Sequence, residues 1–70
     1  MEAFRGLSNS ELRALIDETI RGPHGQRNRQ LTKRRLIDGL TYESLAEEAG
    51  MSPVQIKRIV QKCTAELAQK

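Results

Sequence analysis

The 70-residue sequence contains one cysteine, Cys63, no tryptophan, and only one tyrosine and one phenylalanine. A single thiol cannot form an intramolecular disulfide, and without a cluster of further cysteines or histidines it gives no metal-ligand spacing. Cys63 is therefore expected to be a reduced core residue. No apolar run approaches the roughly 20 residues that span a bilayer, and the N-terminus lacks the apolar segment of a secretory signal. These absences predict a soluble, cytoplasmic protein without membrane association.

The sequence also lacks the residue patterns on which enzymes depend. It has no nucleophile paired with a base, no carboxylate pair suited to acid–base chemistry, no phosphate-binding glycine loop and no metal-ligand spacing. The single histidine, His24, lies in a break rich in glycine and proline and is expected to be a turn residue. Seventy residues form one small domain in which a deep catalytic pocket is not expected. We therefore expect no enzymatic activity and no cofactor.

The charged residues occur in blocks of one sign, which the formal net charge of +3 conceals. Such blocks are typical either of a solvated surface covered with salt bridges or of an oriented face that binds a polyanion, and charge alone leaves both interpretations open. Residues 53–70 are mostly basic. Residues 21–35 contain only bases and residues 36–52 only acids, and these are Arg21, Arg27, Arg29, Lys33, Arg34 and Arg35, followed by Asp38, Glu43, Glu47 and Glu48.

The spacing of apolar residues predicts four helices and no strand. The first is expected from about Asn9 to Ile20, because Ser8 and Glu11 have the spacing of a capping box. The second is expected in residues 26–40, with Gly39 as its C-terminal stop. Its apolar stripe is thin, so arginine and lysine stems, or a partner, must cover part of the core. The inward residues of these two helices are Leu12, Leu15, Ile16, Ile20, Leu31, Leu36, Ile37 and Leu40.

A third and a fourth helix are predicted on either side of a tight corner. Thr41 is a favourable N-cap for the third helix, and Gly50 can adopt the left-handed conformation that ends it. Ser52 and Gln55 form a second capping box, and Pro53 occupies the first helical position, where its missing N–H costs nothing. The chain therefore breaks one helix and starts another within three residues.

The spacing across this corner is that of a helix-turn-helix. Counting Tyr42 as the first position, the template requires a small residue at the fifth and glycine at the ninth, and the chain has Ala46 and Gly50. The apolar template positions are also filled. The sequence therefore predicts one all-α domain over residues 1–70, a bundle of three to four helices with a helix-turn-helix core at about 41–67. The five residues at the apolar positions are Leu45, Ala49, Met51, Ile56 and Ile59.

The segment from Arg27 to Leu67 resembles region four of bacterial sigma factors and the short sigma-like helix-turn-helix proteins of bacteria and phages. The most specific part of the resemblance is DGLTYESLAEEAGMS followed by VQIKRIV. It implies a helical module that binds double-stranded DNA, reads an upstream promoter element and also contacts RNA polymerase. The chain differs from that family at Thr32 and Arg34, where such proteins usually carry leucines. Since the other sigma regions are missing from the sequence, promoter melting is not expected.

The outward face of the fourth helix is the candidate surface for reading DNA. Val54 suits contact with a thymine methyl group in the major groove, Arg58 can donate two hydrogen bonds to guanine, and Gln61 can bond adenine or a phosphate. An alternative for Val54 is an ordinary exposed apolar residue. Candidate phosphate contacts, which position the protein without reading sequence, are Thr41, Ser52, Lys57, Lys62, Arg27, Arg29 and Lys33, with Arg34 beside them.

Two functions follow from these patterns. The first is sequence-specific binding of double-stranded DNA by a sigma region four-like transcriptional regulator. The alternative is a protein-interaction module that docks on RNA polymerase or another regulator and binds DNA weakly or not at all. The third helix carries Glu43, Glu47 and Glu48, which are expected to face solvent, the basic second helix or a basic partner. The first helix either packs within the monomer or supplies a homodimer contact.

Overall fold

The part of the chain that the structure describes folds into four helices. A computed structural model describes residues 6–69. The helices are α1 (Asn9–Thr19), α2 (Gly25–Leu36), α3 (Tyr42–Ala49) and α4 (Pro53–Ala68). Residues 6–69 contain no strand, and this confirms the predicted all-α fold class. Within the same residues, no helix has the length and apolar character needed to cross a membrane.

Side-chain caps begin three of the four helices at the residues that the sequence predicts. Ser8, Thr41 and Ser52 all have extended backbone conformations, and each side-chain oxygen accepts a hydrogen bond from the amide three residues later. The capping boxes of α1 and α4 are complete, because the Glu11 and Gln55 side chains accept hydrogen bonds from the backbone amides of Ser8 and Ser52 at 3.1 Å. Because these bonds join residues three apart, the local sequence is sufficient to set where each helix begins.

The turn between α3 and α4 depends on Gly50. Its φ of 68° lies in the left-handed region, as predicted. The amide N–H groups of Gly50 and Met51 both donate to the carbonyl oxygen of Ala46, which satisfies an acceptor at the end of α3. Met51 is half-buried against the apolar residues of the corner. The chain therefore enters α4 only two residues after the glycine.

Two apolar clusters lie along the buried face of α4 within residues 6–69 and are joined by Ile59, which packs against both. The first cluster fixes α1 to the C-terminal half of α4. The second fixes α2 and α3 to the N-terminal half. Ala49 is an exception to the predicted apolar positions, since it is exposed at the end of α3. The buried members are Leu12, Ile16, Ile20, Cys63 and Leu67 in the first cluster, and Leu31, Leu45, Ala46, Ile56 and Val60 in the second.

Helix α2 packs with few apolar residues. It ends at Leu36, earlier than the expected stop at Gly39, which lies in the following loop with a φ of 73°. Thr32 is fully buried, and its hydroxyl donates to the carbonyl oxygen of Asn28 at 2.8 Å. The Arg35 guanidinium lies 4.5 Å from the centre of the Tyr42 ring and donates to the Leu40 carbonyl oxygen. Polar and arginine side chains therefore complete the core that Leu31 alone does not fill.

Candidate nucleic-acid interface

The outer face of α4 is exposed over its first turns. Ile56 and Val60 turn inward and are almost fully buried, so residues about 180° away around the helix point outward. Val54 is 60% exposed, and Arg58 and Gln61 are also exposed. The structure therefore brings the three predicted base-reading residues onto one surface, which we call the α4 outer face.

Three cations lie on or beside the α4 outer face. Arg58 is on it, and Lys57 and Lys62 are exposed on its two flanks. Within residues 6–69, no carboxylate lies within 4 Å of any of these three side chains. As far as residues 6–69 are concerned, their charges are therefore available to an external anion without the breaking of an ion pair.

The bases of α2 are in a different electrostatic situation. Lys33 Nζ lies 2.7 Å from the Asp17 carboxylate of α1, and Arg29 Nε lies 3.9 Å from the same group. Arg29 also donates to the carbonyl oxygen of Ile20 at 2.8 Å. Arg34 pairs with Glu48 of α3 at 2.8 Å. Of the two interpretations of the charge blocks, the salt-bridged surface therefore describes α2.

Arg27 stands apart from these pairs. Its side chain is exposed, and its Nε donates to the amide oxygen of Asn28 at 3.1 Å. It lines a small groove between α2 and α3, of ≈ 310 Å³, together with Glu48 and the exposed Ala49. Arg29, Lys33 and Arg34 thus lie in ion pairs with α1 or α3, whereas Arg27 and the three cations on or beside the α4 outer face have no ion-pair partner within residues 6–69.

Thr41 and Ser52 are exposed, but their hydroxyls are engaged in capping. Ser52 Oγ accepts from the Gln55 amide at 3.2 Å and donates to Gln55 Oε1 at 3.3 Å. Thr41 Oγ1 accepts from the Ser44 amide and donates to Ser44 Oγ at 3.0 Å. These contacts hold the first turns of α3 and α4 in place, so the two residues orient the α4 outer face whether or not a phosphate approaches them.

The acidic residues of α3 divide between two environments. Glu48 pairs with Arg34. It therefore faces the basic second helix, which is one of the three environments expected for these acids. Glu43 and Glu47 are exposed and have no ion-pair partner within residues 6–69. The unpaired acids therefore give α3 a negative surface.

Sequence reasoning missed a groove on one flank of α4. The groove has a volume of ≈ 650 Å³ and lies between α4, the end of α2 and Tyr42. Arg35 and Thr64 line it, although neither was a candidate site residue. Arg35 looked like part of a continuous basic run, and Thr64 carries no charge and breaks no pattern, so no sequence signal marked either residue.

Cys63 and His24, two residue types that carry catalysis or metal binding in other proteins, lie in different environments. Burial raises the pKa of the Cys63 thiol above its ordinary value, which keeps it protonated and unreactive at neutral pH. His24 occupies the N-cap position of α2, is exposed, and makes no capping hydrogen bond through its side chain. No group of three histidine, cysteine or acidic residues that could hold a metal ion occurs within residues 6–69.

Comparison with known proteins gives no match. No protein-family model matches the chain, and neither a curated protein nor a solved structure matches it.

Proposed function

We propose that the protein is a sequence-specific DNA-binding protein, a transcriptional regulator of the sigma region four-like type, that places α4 in the major groove. The observation that carries this proposal is the contrast between the two basic segments. Three bases of α2, Arg29, Lys33 and Arg34, are paired with Asp17 or Glu48, whereas Lys57, Arg58 and Lys62 have no acidic partner within residues 6–69. An unpaired cationic face on an exposed helix that follows a tight turn is suited to a duplex.

The side chains of the α4 outer face and its flanks have two proposed roles: some recognise bases, and others bind phosphates and so position the helix. Arg58 can donate in parallel to the O6 and N7 atoms of guanine, and Gln61, about one turn further along, can bond adenine. Val54 would contact a thymine methyl group, and removing this side chain from water favours binding because it is apolar and 60% exposed. Lys57 and Lys62 would bind phosphates on the two flanks, which fixes the register of the helix without reading bases.

The proposed complex contains one copy of the chain on each site. Leu12 and Ile16 of α1, and Ile20 directly after it, are buried within the monomer. The exposed side of α1 includes Glu11 and Glu18, so a two-fold contact there would bring like charges together. Sedimentation at high micromolar concentration tests this part, and a stable dimer would contradict it.

A second candidate function is docking on a protein partner, either RNA polymerase or another regulator. The observation that favours it is the negative surface of α3, where Glu43 and Glu47 are exposed without an ion-pair partner in the described part of the chain. Phosphates would be repelled by this surface, whereas a basic protein surface would be attracted to it.

A salt titration distinguishes the two candidates. Binding of the wild-type protein to a duplex selected from a random library, and to a scrambled duplex, is measured at several salt concentrations. A DNA-binding protein gives a logarithmic affinity that falls linearly with the logarithm of salt, with tighter binding to the selected duplex. Absence of salt-dependent binding to either duplex would reject the regulator and favour the docking module.

A further inference from the structure

The groove on the flank of α4 has an unusual chemical lining. Four of the residues that line it, Tyr42, Thr64, Arg35 and Gln61, have side chains with hydrogen-bond donors, while Leu36 and Ala68 have apolar side chains. None of the residues that line it is acidic. A strand of DNA alternates apolar sugar surfaces with anionic phosphates, so both parts of this lining have a counterpart on it.

Arg35 is held in a defined position in this groove. One of its guanidinium nitrogens donates to the Leu40 carbonyl oxygen at 2.9 Å, and the guanidinium carbon lies 4.5 Å from the centre of the Tyr42 ring. These two contacts leave further N–H groups of the guanidinium without an acceptor in the described part of the chain. Because the Arg35 side chain is already held in place, it loses little conformational entropy when its unused donors bind a phosphate.

The groove is continuous with the α4 outer face. Gln61 belongs to both surfaces. Lys57 and Thr64 are seven residues apart and therefore lie on the same flank of α4, separated by about 10 Å along the helix axis. A helix in the major groove has a sugar-phosphate strand on either side, so the flank that carries Lys57 and Thr64 meets one of these strands.

We propose that this groove binds the sugar-phosphate backbone of one strand of the duplex whose bases α4 reads. Tyr42, Thr64 and Arg35 donate to its phosphates, and Lys57 extends the same track toward the N-terminal end of α4. The proposal rests on the proposed function. It adds three positioning residues to the surface, and the experiment below separates its failure from that of DNA binding itself.

The first test removes single hydroxyls. Thr64→Val and Tyr42→Phe keep the shape of each side chain and, for Tyr42, the ring beneath Arg35. Losing one hydrogen bond to a charged phosphate is expected to weaken binding about tenfold on selected and scrambled duplexes alike. The salt slope should not change, because no charge is lost, whereas Lys57→Ala should lower it by about one unit. Ser10→Ala, which removes an exposed hydroxyl of α1, is the matched control and should bind as the wild type does.

The second test locates the phosphates. Uncharged methylphosphonates replace the phosphates of the selected duplex one at a time. The wild type should lose affinity at the phosphates that meet the groove, and Thr64→Val should lose no further affinity at those positions, as expected of two groups in contact.

Three results would overturn the proposal in distinguishable ways. If both hydroxyl variants bind DNA with wild-type affinity and have unchanged melting temperatures, the groove does not bind the DNA backbone, although the protein still binds DNA. A loss confined to the selected duplex would show that the groove reads bases. Failure of the wild type to bind either duplex would reject the proposed function and this inference together.

Discussion

Lys33 Nζ of α2 lies 2.7 Å from the Asp17 carboxylate of α1 and forms an ion pair with it. The sequence predicts a phosphate contact for Lys33, but its side chain is engaged in this pair. Arg29 approaches the same carboxylate at 3.9 Å. The pair joins two helices across the surface of the bundle, and its side chains remain partly exposed to solvent. Its stabilising effect is therefore modest, and its main consequence is electrostatic, because Asp17 offsets part of the positive charge of α2 beside α1.

Asp17→Asn should lower the free energy of unfolding by less than about 1 kcal/mol, since the pair is exposed. The loss should shrink at high salt, where exposed pairs are screened. Urea denaturation at low and high salt measures both. The salt slope of DNA binding should change by much less than one unit, because Lys33 and Arg29 lie away from the α4 outer face. A rise of one unit or more would show that these two residues contact DNA phosphates.

Arg58→Ala should weaken binding to the selected duplex by about 1 to 3 kcal/mol and affect a scrambled duplex much less, because a base contact is lost only where that base is present. Lys62→Ala is the comparison on the same helix. It should weaken both duplexes about equally and lower the salt slope by about one unit. Titrations of the two variants on both duplexes provide the measurement. An equal loss on both duplexes for Arg58→Ala would assign Arg58 to backbone positioning.

Gly50→Val should reduce stability by about 1 to 3 kcal/mol, because a β-branched side chain must adopt the left-handed φ of 68°. No atom lies within 4 Å of the position where a Cβ would be, so the added Cβ meets no neighbour and backbone strain is the expected cause of the loss. Gly50→Asn is the control and should cost less, since asparagine adopts this conformation more readily. Thermal unfolding compares the two variants, and equal melting temperatures would contradict this account of the turn.

Thr32→Leu should destabilise the fold by about 1 to 3 kcal/mol, although leucine is the usual residue in the family that the sequence resembles. Thr32 is fully buried, so a larger side chain must displace its neighbours. Thr32→Val should change stability by only about 1 kcal/mol or less, because it preserves the shape and removes a hydroxyl bonded within its own helix. Chemical denaturation of both variants tests this packing, and a gain in stability from leucine would reveal unfilled space beside α2.

Glu11→Gln should remove part of the pH dependence of stability. The hydrogen bond from the Ser8 amide lowers the pKa of the Glu11 carboxyl in the folded chain. The stabilisation is therefore fully present above the ordinary pKa of about 4.3 and is lost as pH falls through the lowered folded value. Glutamine cannot titrate but can still accept the bond, as Gln55 does at α4. Melting temperatures over the acidic range should fall less for the variant than for the wild type, and parallel curves would exclude a contribution from Glu11.

The presence of the four helices, the side-chain caps of α1, α3 and α4, and the corner between α3 and α4 could be predicted from the sequence, whereas the end of α2 at Leu36 could not. Ser8 with Glu11, Ser52 with Gln55, and Gly50 after α3 act through bonds between residues three to five apart, so local chemistry is sufficient and the structure agrees with each prediction. The helical spacing of apolar residues in α4 also predicted that Ile56 and Val60 are buried and that Val54 and Arg58 are exposed. These features required no knowledge of which helices become neighbours.

Which charges remain available depends on how the helices pack against one another. Arg34 and Lys33 look equivalent to Lys57 and Lys62 in the sequence, but they meet Glu48 and Asp17, which approach only when α3 and α1 pack against α2. The groove beside α4 likewise exists because Arg35 and Tyr42 are brought to Thr64 by that packing. Ion pairs and grooves between helices depend on the distances and angles at which the helices cross, and no local pattern of residues specifies these quantities.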